Sequence, residues 1–474
     1  MYRFKAHPVS VIDNIYKLIP LLILPLVRGF FSALNGGLYA FLSGAWLDIL
    51  VVLLILELSI LNYKNMSLEI QDDEILFARG IIKHEEIKIK KEKICCVSIK
   101  KAWYYRPFKA VYLKIDTIAG SFKNSDVKIA LYEKDAVKIL SLFETAQNPE
   151  NALAVEYSPS FSYIMLLCAI LSNSFAGMAI VATAISQSGD ILGKTIENQV
   201  FGTLTTLAKT LSFGIPPAAA IIGYIIVFGW LVAFFINFLR HRNFLLRRHK
   251  NTLLIKGGTP TQRLYSLKVK EINFLTLRQS LATKLLRLYS VFVHCSGFGK
   301  KAEDISAVAP AVKKKDLNHT LKMIIPELTP CKITLRPNSF AIFKFILDPL
   351  YPCALVPFVI YLLIKQFPLW AEFLGFVGIM AMIPSYWFLG VRILDFFTSG
   401  IGEDEKSVTV KYSKGFSLLT VVILKEKISS VVFRQSLIQK TDNSCDVFIY
   451  TRGEDKVKHH IKNVNLEKAK GILK

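Results

Sequence analysis

The chain repeats one stretch of its own sequence, and this repeat limits its fold more than any other feature. Residues 428–448 read ISSVVFRQSLIQKTDNSCDVF, and residues 272–292 read INFLTLRQSLATKLLRLYSVF. The two copies share Arg-Gln-Ser-Leu and a later Val-Phe without a gap, since the distance from 278 to 434 equals that from 292 to 448. A weaker third copy, ICCVSIKKAWYYRPFKAVYLKI, begins at Ile94. The repeat predicts three copies of one structural unit.

Apolar residues make up 52% of the chain and are concentrated in long runs. The runs come in pairs, and each has about twenty residues, the length of a helix that crosses a bilayer. They cover residues 15–34, 38–61, 163–185, 215–239, 345–364 and 370–394. The chain is therefore predicted to be a membrane protein with three helical hairpins and six spans.

Each pair of runs is followed by short stretches in which apolar and polar residues alternate, with turn signals such as Asp72-Asp73 and Arg79-Gly80. This pattern is typical of antiparallel strands in a small barrel or sandwich. An apolar stripe at helical spacing, as in residues 132–144, closes each unit. The predicted organisation is hairpin 1 at 1–61, sheet domain 1 at 62–157, hairpin 2 at 158–240, sheet domain 2 at 241–338, hairpin 3 at 339–397 and sheet domain 3 at 398–474.

The formal net charge is +23, and the sheet-forming regions hold most of the Lys and Arg residues. Cytoplasmic segments of membrane proteins are enriched in these residues, so we expect both termini and all three sheet domains in the cytoplasm. The seven cysteines show no metal or redox spacing, which agrees with a reducing compartment.

A cluster of basic residues directly follows the fourth apolar run. Juxtamembrane clusters of this kind attract anionic phospholipid headgroups by about 1 kcal/mol per basic residue. The same cluster also fixes the topology of the preceding span, so the two interpretations stand side by side. The candidate lipid-binding residues are Arg240, Arg242, Arg247, Arg248 and Lys250.

The repeated Arg-Gln-Ser-Leu segment is a second candidate site. In a continuing strand, its Arg and Ser share one face while its Gln and Leu share the other. Its polar residues either satisfy backbone groups at a strand end, which we favour, or form an interaction surface. That surface would comprise Arg278, Gln279, Ser280, Arg434, Gln435 and Ser436. In the first copy, residues 100–109 (KKAWYYRPFK) mix basic and aromatic residues, which favours core or lipid-interface packing over nucleic-acid binding.

Two carboxylates, Asp48 and Glu57, interrupt the second apolar run. Charges inside a membrane are costly and often mark a transport pathway, so a transporter or export component is the alternative function. Enzyme motifs are weak: GDILGKT at 189–195 has one residue too few between its glycines for a phosphate-binding loop, and His459-His460 has no third ligand at metal spacing. We expect no catalytic activity, no cofactor and no metal site.

The order of these features resembles the bacterial pleckstrin-homology (PH) membrane proteins of the YdbS/YdbT type. The matching residues are Asp72, Asp73 and Gly80 in the first unit, Arg278 to Leu281 in the second, and Gly415, Ile428, Val431 and Arg434 to Leu437 in the third. Three units in a chain of this length resemble the longer, YdbT-like members. The resemblance implies a seven-stranded PH-like barrel with a C-terminal helix after each hairpin, no catalytic residues, and a protein partner such as a shorter member of the same family.

The sequence therefore predicts a non-enzymatic protein of the cell membrane. Three cytoplasmic PH-like domains would offer surfaces for proteins or anionic phospholipid at the inner leaflet. A role in cell-envelope maintenance or in resistance to membrane-active agents rests on family analogy alone. We expect no nucleic-acid partner.

Overall fold

The computed structural model describes most of the chain and divides it into two compact units. The first unit comprises residues 1–154, 247–271 and 295–304, and the second comprises residues 155–246, 272–294 and 305–474. The described residues are 2–12, 50, 53–81, 84–118, 125–145, 155–172, 199, 202–203, 206, 217–295, 298, 307–451 and 457–473.

The first unit begins with a four-stranded antiparallel sheet. Its strands alternate buried and more exposed residues, and in the third strand Ile75 and Phe77 point into the core. This alternation follows from the two-residue period of a strand with one buried face. The sheet has the order β1 (Tyr2–Lys5), β2 (Ser67–Ile70), β3 (Glu74–Arg79), β4 (Glu85–Lys90).

A larger sheet joins strands from two distant parts of the sequence. Its strands are β5 (Ile94–Lys101), β6 (Ala110–Thr117), β7 (Val127–Tyr132), β8 (Val155–Tyr157), β9 (Leu245–His249), β10 (Thr252–Gly257) and β11 (Gln262–Lys268). Their order in the sheet is β7-β6-β5-β11-β10-β9-β8. Strands β5 and β11, both in the first unit, pair antiparallel from Cys96↔Leu267 to Lys101↔Gln262. The helix Glu133–Thr145 covers the core with Ala136 and Ile139.

The second unit repeats this arrangement. A six-stranded sheet has the order β14-β13-β12-β17-β16-β15, and a three-stranded sheet has the order β18-β19-β20. Between them lies a core that includes Val410, Ile423, Val447 and Ile461. The strands are β12 (Phe274–Ser280), β13 (Leu288–His294), β14 (Ala307–Lys313), β15 (Gly400–Glu403), β16 (Ser407–Lys414), β17 (Ser417–Leu424), β18 (Ile428–Arg434), β19 (Ser444–Thr451) and β20 (Val457–Asn465). The predicted closing helices of the second and third repeats are confirmed as Leu317–Ile324 and Leu466–Ile472.

The strands of the predicted second sheet domain, residues 241–338, are divided between two sheets. Strands β10 and β11 belong to the sheet of β5, whereas β12 pairs with β17 from Phe274↔Ile423 to Ser280↔Ser417. The predicted domain boundaries stay a prediction, but neighbouring repeats complete each other's sheets.

Among the described residues, three helices are long and apolar enough to cross a membrane: Ile221–His241, Ile342–Gln366 and Pro368–Thr398. They include the predicted runs 345–364 and 370–394 and most of 215–239. The run 15–34 lies outside the described residues, as does most of 38–61, of which a helix over residues 53–64 is described. Of the run 163–185, the helix Phe161–Leu171 covers the described beginning.

The backbone confirms the sequence repeat at its turns. Lys109, Arg287 and Asn443 stand directly before β6, β13 and β19, at equivalent positions of the three copies. All three adopt the left-handed conformation, with φ of 52°, 56° and 49°. Because few residues other than glycine adopt this conformation, its recurrence shows that the three turns share one geometry.

Candidate functional site

A cavity of about 730 Å³ lies where the third helical hairpin meets the last strands of the second unit. Helix Ile342–Gln366 contributes Asp348 near its start, and helix Ala371–Thr398 contributes Arg392 and Asp395 near its end. Because the two helices are antiparallel, these polar residues meet at the open end of the hairpin. Strands β16 and β20 supply most of the remaining lining: Tyr412, Ser413, Lys414, Lys458, His460 and Lys462.

Two carboxylates and two basic side chains form a network that joins the hairpin to the sheet. The Arg392 guanidinium donates to Ser413 Oγ at 2.8 Å, and Ser413 Oγ donates to Asp395 Oδ2 at 2.6 Å. Arg392 lies 3.7 Å from Asp395 and 4.0 Å from Asp348. Lys462 Nζ lies 3.0 Å from Asp348 Oδ2. The network fixes Arg392 and Lys462 toward the cavity.

The cavity carries more positive than negative charge. Its lining contains four basic residues and two acidic ones, so its formal charge, counted over Lys, Arg, Asp and Glu, is +2. Lys414 and Lys458 are exposed at its mouth, and no carboxylate in the described part of the chain pairs with either. Among the described residues, the buried Arg392 Nε, Ser399 Oγ and Asp395 Oδ1 have no hydrogen-bond partner. The excess of basic side chains favours an anion with several oxygen atoms over a cation, whereas the unpartnered Asp395 oxygen opposes it.

Tyr412 and His459 support the cavity wall in their uncharged forms. Burial raises the pKa of Tyr412 to about 12. Burial also lowers the pKa of His459 to about 3, with smaller contributions from His294 and Lys414. The Tyr412 hydroxyl and the imidazole Nδ1 form a hydrogen bond, and the two atoms lie 2.9 Å apart.

The structure places the predicted lipid-binding residues at the end of a spanning helix and in the hairpin that follows it. Arg240 lies in the last turn of Pro217–His241, and Arg242 follows that helix. Both belong to the second unit, whereas Arg247, Arg248 and Lys250 belong to the first. Arg242, Arg247 and Lys250 are exposed, and Arg248 Nε donates to the Lys250 carbonyl at 3.2 Å. Their lipid-binding role stays a prediction.

Hydrogen bonds within the turns occupy the Gln and Ser of the repeated segment. Gln279 Nε2 donates to the Leu288 carbonyl at 2.8 Å, and Gln435 Nε2 donates to the equivalent Ser444 carbonyl at 2.9 Å. Ser280 and Ser436 cap the short helices Leu281–Leu285 and Leu437–Thr441. These bonds satisfy backbone groups at the strand ends.

The segment does not continue as a strand through its leucine, because Leu281 and Leu437 each begin a helix, and the bonds of Gln and Ser agree with the favoured interpretation of a strand end. In each copy, the serine side chain accepts a hydrogen bond from the backbone N–H three residues later. This bond caps the helix, and the strand therefore ends at the serine. Arg278 and Arg434 are exposed, and Arg278 Nε donates to Ser417 Oγ at 2.9 Å. The role of these residues as an interaction surface stays a prediction.

The intramembrane carboxylates are described only in part. Asp48 lies outside the described residues, and Glu57 is an exposed residue of the helix over 53–64. In the described part of the chain, no group of three or more His, Cys, Asp or Glu residues could hold a metal ion.

Local sequence patterns do not identify Arg392, Lys414, Lys458 or Lys462 as parts of one site. The carboxylates at the two ends of one hairpin were the available signal. Lys462 lies more than a hundred residues from Asp348, and no local pattern links the two.

Apolar helices long enough to span a bilayer, together with antiparallel sheets closed by helices, define a membrane protein with repeated PH-like domains. The chain belongs to the bacterial PH domain family, which matches residues 19–142, 201–325 and 356–474 and so confirms three repeats. It is also similar to the UPF0699 transmembrane protein YdbT of Bacillus subtilis (strain 168). The two are 20% identical over 496 residues, which cover 99% of this chain and 97% of that protein. No solved structure matches the chain.

Proposed function

We propose that the protein binds the phosphate headgroup of an anionic phospholipid in the cavity at the base of its third hairpin. In this proposal it is a non-enzymatic protein of the cell membrane with six spans. Its termini and its three PH-like domains lie in the cytoplasm, against the inner leaflet.

The observation that carries the proposal is the basic lining of the cavity at the end of two spanning helices. These helices have 25 and 28 residues, which at 1.5 Å per residue gives about 37 and 42 Å, enough to cross a bilayer. Arg392 and Lys462 therefore lie near the level of the headgroups. A guanidinium binds phosphate oxygens through two parallel N–H groups, and lysines add charge without demanding a fixed geometry.

The apolar surroundings of the cavity favour a lipid over a soluble phosphate. Phe345 belongs to the lining, and Phe388 lies under the Arg392 guanidinium, 5.0 Å from its central carbon to the ring centre. Both side chains belong to the spanning helices. A phospholipid carries both a phosphate and acyl chains, so it can contact the basic and the apolar residues at the same time.

The test compares lipid retention by the intact protein in nanodiscs that mix phosphatidylglycerol with phosphatidylcholine. Native mass spectrometry counts the lipids that stay bound. We expect the wild type to retain phosphatidylglycerol preferentially, and the double variant Lys414→Gln/Lys458→Gln to lose most of this preference. The control, Lys468→Gln/Lys470→Gln, removes two exposed charges from the closing helix and keeps the preference.

Equal retention of the two lipids by the wild type would contradict the proposal. Inorganic phosphate separates the two sources of the ligand. If phosphate alone displaces the lipid at millimolar concentration, the headgroup supplies the affinity. If it does not, the acyl chains contribute as well. A protein retained in place of lipid would instead identify the cavity as a protein-binding site.

A further inference from the structure

The turn that follows the repeated strand has an unusual surface in all three copies. The first turn is the 3₁₀ segment Trp103–Phe108, the second is helix Leu281–Leu285 with Leu286, and the third is helix Leu437–Thr441. They are called the apolar turns here because each exposes large apolar side chains. The first exposes Trp103 (58%), Tyr104 and Phe108, and the second exposes Leu285 (84%) and Leu286. The third exposes Leu437 (83%) and Ile438 (77%).

Each turn is held firmly by one buried side chain while its neighbours point outward. Tyr105, Thr283 and Gln439 occupy equivalent positions in the three copies, and all are buried. Each turn also ends in the left-handed residue Lys109, Arg287 or Asn443. The backbone of each turn therefore has a defined conformation with one side chain in the core. The exposed apolar side chains do not result from an unfolded or unpacked turn. Exposed apolar groups that recur in this way indicate a surface that binds a membrane or another protein.

In the second unit, two of the apolar turns lie beside spanning helices. Helix Leu281–Leu285 packs against Phe161–Leu171 and Ala371–Thr398. A side chain on Gly390 of the latter would lie 3.4 Å from Leu281 Cδ1. Gly390 is two residues before Arg392, at the base of the hairpin. The second turn therefore lies at the base of the third hairpin.

The third turn is tied to the first turn of the third hairpin. Gln439 Nε2 donates to Asp446 Oδ1 at 2.7 Å, and Asp446 lies 3.6 Å from Lys344 Nζ. Lys344 is the third residue of helix Ile342–Gln366. Burial acts to raise the pKa of Asp446, but the nearby His460 side chain, hydrogen bonds from Asn463 and Gln439, and the charge of Lys344 lower it to about 2. The carboxylate is thus charged and keeps the turn beside the helix.

The first turn packs against the segment that precedes the first predicted hairpin. Ala102 and Tyr105 pack with Val9 in one buried cluster. Val9 begins a helical segment that is described over residues 9–12, a few residues before the first apolar run predicted from residue 15. In each of the three copies, then, the apolar turn adjoins the segment that starts or leads into the first helix of its own hairpin.

Basic residues flank the apolar side chains. They include Arg106 and Lys109 at the first turn, Lys284 and Arg287 at the second, and Arg434 and Lys440 at the third. Trp and Tyr, as in the first turn, are enriched where proteins meet lipid headgroups. Apolar groups surrounded by basic groups fit an anionic membrane surface better than a protein core.

From this placement we propose that the three apolar turns insert into the headgroup region of the membrane that holds the hairpins. Their apolar side chains reach the boundary of the acyl chains, and their basic residues contact lipid phosphates. The turns thereby hold each PH-like domain flat on the leaflet. This inference goes beyond the proposed headgroup cavity and does not depend on it.

The test places the photocrosslinking residue benzoylphenylalanine at Trp103, Leu285 or Leu437 of the full chain in phosphatidylglycerol–phosphatidylcholine nanodiscs. These positions are exposed, so the replacements leave the core intact, and Ile438 is an alternative position for the third turn. The controls are Val137 and Met323, which are exposed apolar residues of the helices Glu133–Thr145 and Leu317–Ile324. After irradiation, mass spectrometry measures adducts with phospholipid.

We expect lipid adducts at all three turns, several-fold above those at Val137 and Met323. Adduct yields at the turns that do not exceed the controls would overturn the proposal, as would adducts with a second protein molecule in place of lipid. The double variant Lys414→Gln/Lys458→Gln leaves the turns unchanged, so its adduct yields equal those of the wild type. Failure of the headgroup cavity and failure of the apolar turns are therefore distinguishable.

Discussion

At the scale of single residues, Gly402 lies against the backbone of a neighbouring segment. A Cβ atom on this residue of β15 would lie 2.3 Å from the Lys332 carbonyl oxygen. The neighbouring Leu335 and Ile401 exchange backbone hydrogen bonds at 2.8 and 2.9 Å, which fixes the two segments. Gly402→Ala is therefore expected to destabilise the protein by roughly 3 kcal/mol. The midpoint of thermal unfolding in detergent measures this effect. Gly471→Ala, with open space around it, is the control and leaves the midpoint unchanged.

The second prediction at this scale concerns pH and His459. In the folded protein its pKa is about 3, below the ordinary value of 6.5, because burial disfavours the charged imidazole. The free energy of unfolding is therefore unaffected by protonation of His459 above pH 6.5. It decreases as the pH falls from 6.5 toward 3, because the unfolded chain then binds a proton that the folded protein does not. The expected loss is about 1.4 kcal/mol for each pH unit in that window. His459→Asn keeps an acceptor for Tyr412 but does not titrate, so its unfolding midpoint falls less between pH 7 and pH 5. Equal falls in both proteins would contradict this account.

At the scale of secondary-structure elements, the third hairpin depends on a glycine contact between its helices. A Cβ on Gly378 would lie 3.0 Å from Ile360 Cγ2, whereas Gly375 on the same helix has nothing within 4 Å. Gly378→Leu is expected to separate the helices and to cost about 2 kcal/mol through overpacking. Gly375→Leu is the matched control with little effect. Thermal unfolding of the two variants in detergent decides the point, and equal midpoints would show that the helices do not pack through Gly378.

The elements also show how far the sequence predicts this fold. Local patterns were sufficient for the repeat, for the closing helices and for the three described spanning helices, because hydrophobic period and turn residues act over a few positions. The capping role of Ser280 could be predicted only in part, since a serine suits both a strand end and a helix start. The pairing of β5 with β11 and of β12 with β17 joins separate repeats, and no pattern within either strand specifies its partner. The basic cavity was missed for the same reason, because Arg392 and Lys462 meet only through tertiary structure.

At the scale of the whole molecule, shared sheets make the middle repeat dependent on its neighbours. In the full chain, β11 pairs with β5 in the first unit, and β12 pairs with β17 in the second. A fragment of residues 241–338 loses both partners and exposes two unpaired strand edges. Unpaired edges are templates for association, so we expect this fragment to aggregate in size-exclusion chromatography.

A longer fragment, residues 241–474 in detergent, separates the two sheets. It contains β17 and so restores the partner of β12, but it lacks β5. We expect hydrogen exchange to show protected amides in β12 and unprotected amides along the edge of β11, because only the first of these strands regains its ladder. A monomeric, cooperatively unfolding fragment of residues 241–338 would contradict the argument, since it would show that the middle repeat completes its own barrel. The predicted dependence follows from the strand order, because two of the sheets contain strands from neighbouring repeats. The three PH-like repeats are therefore not independent folding units.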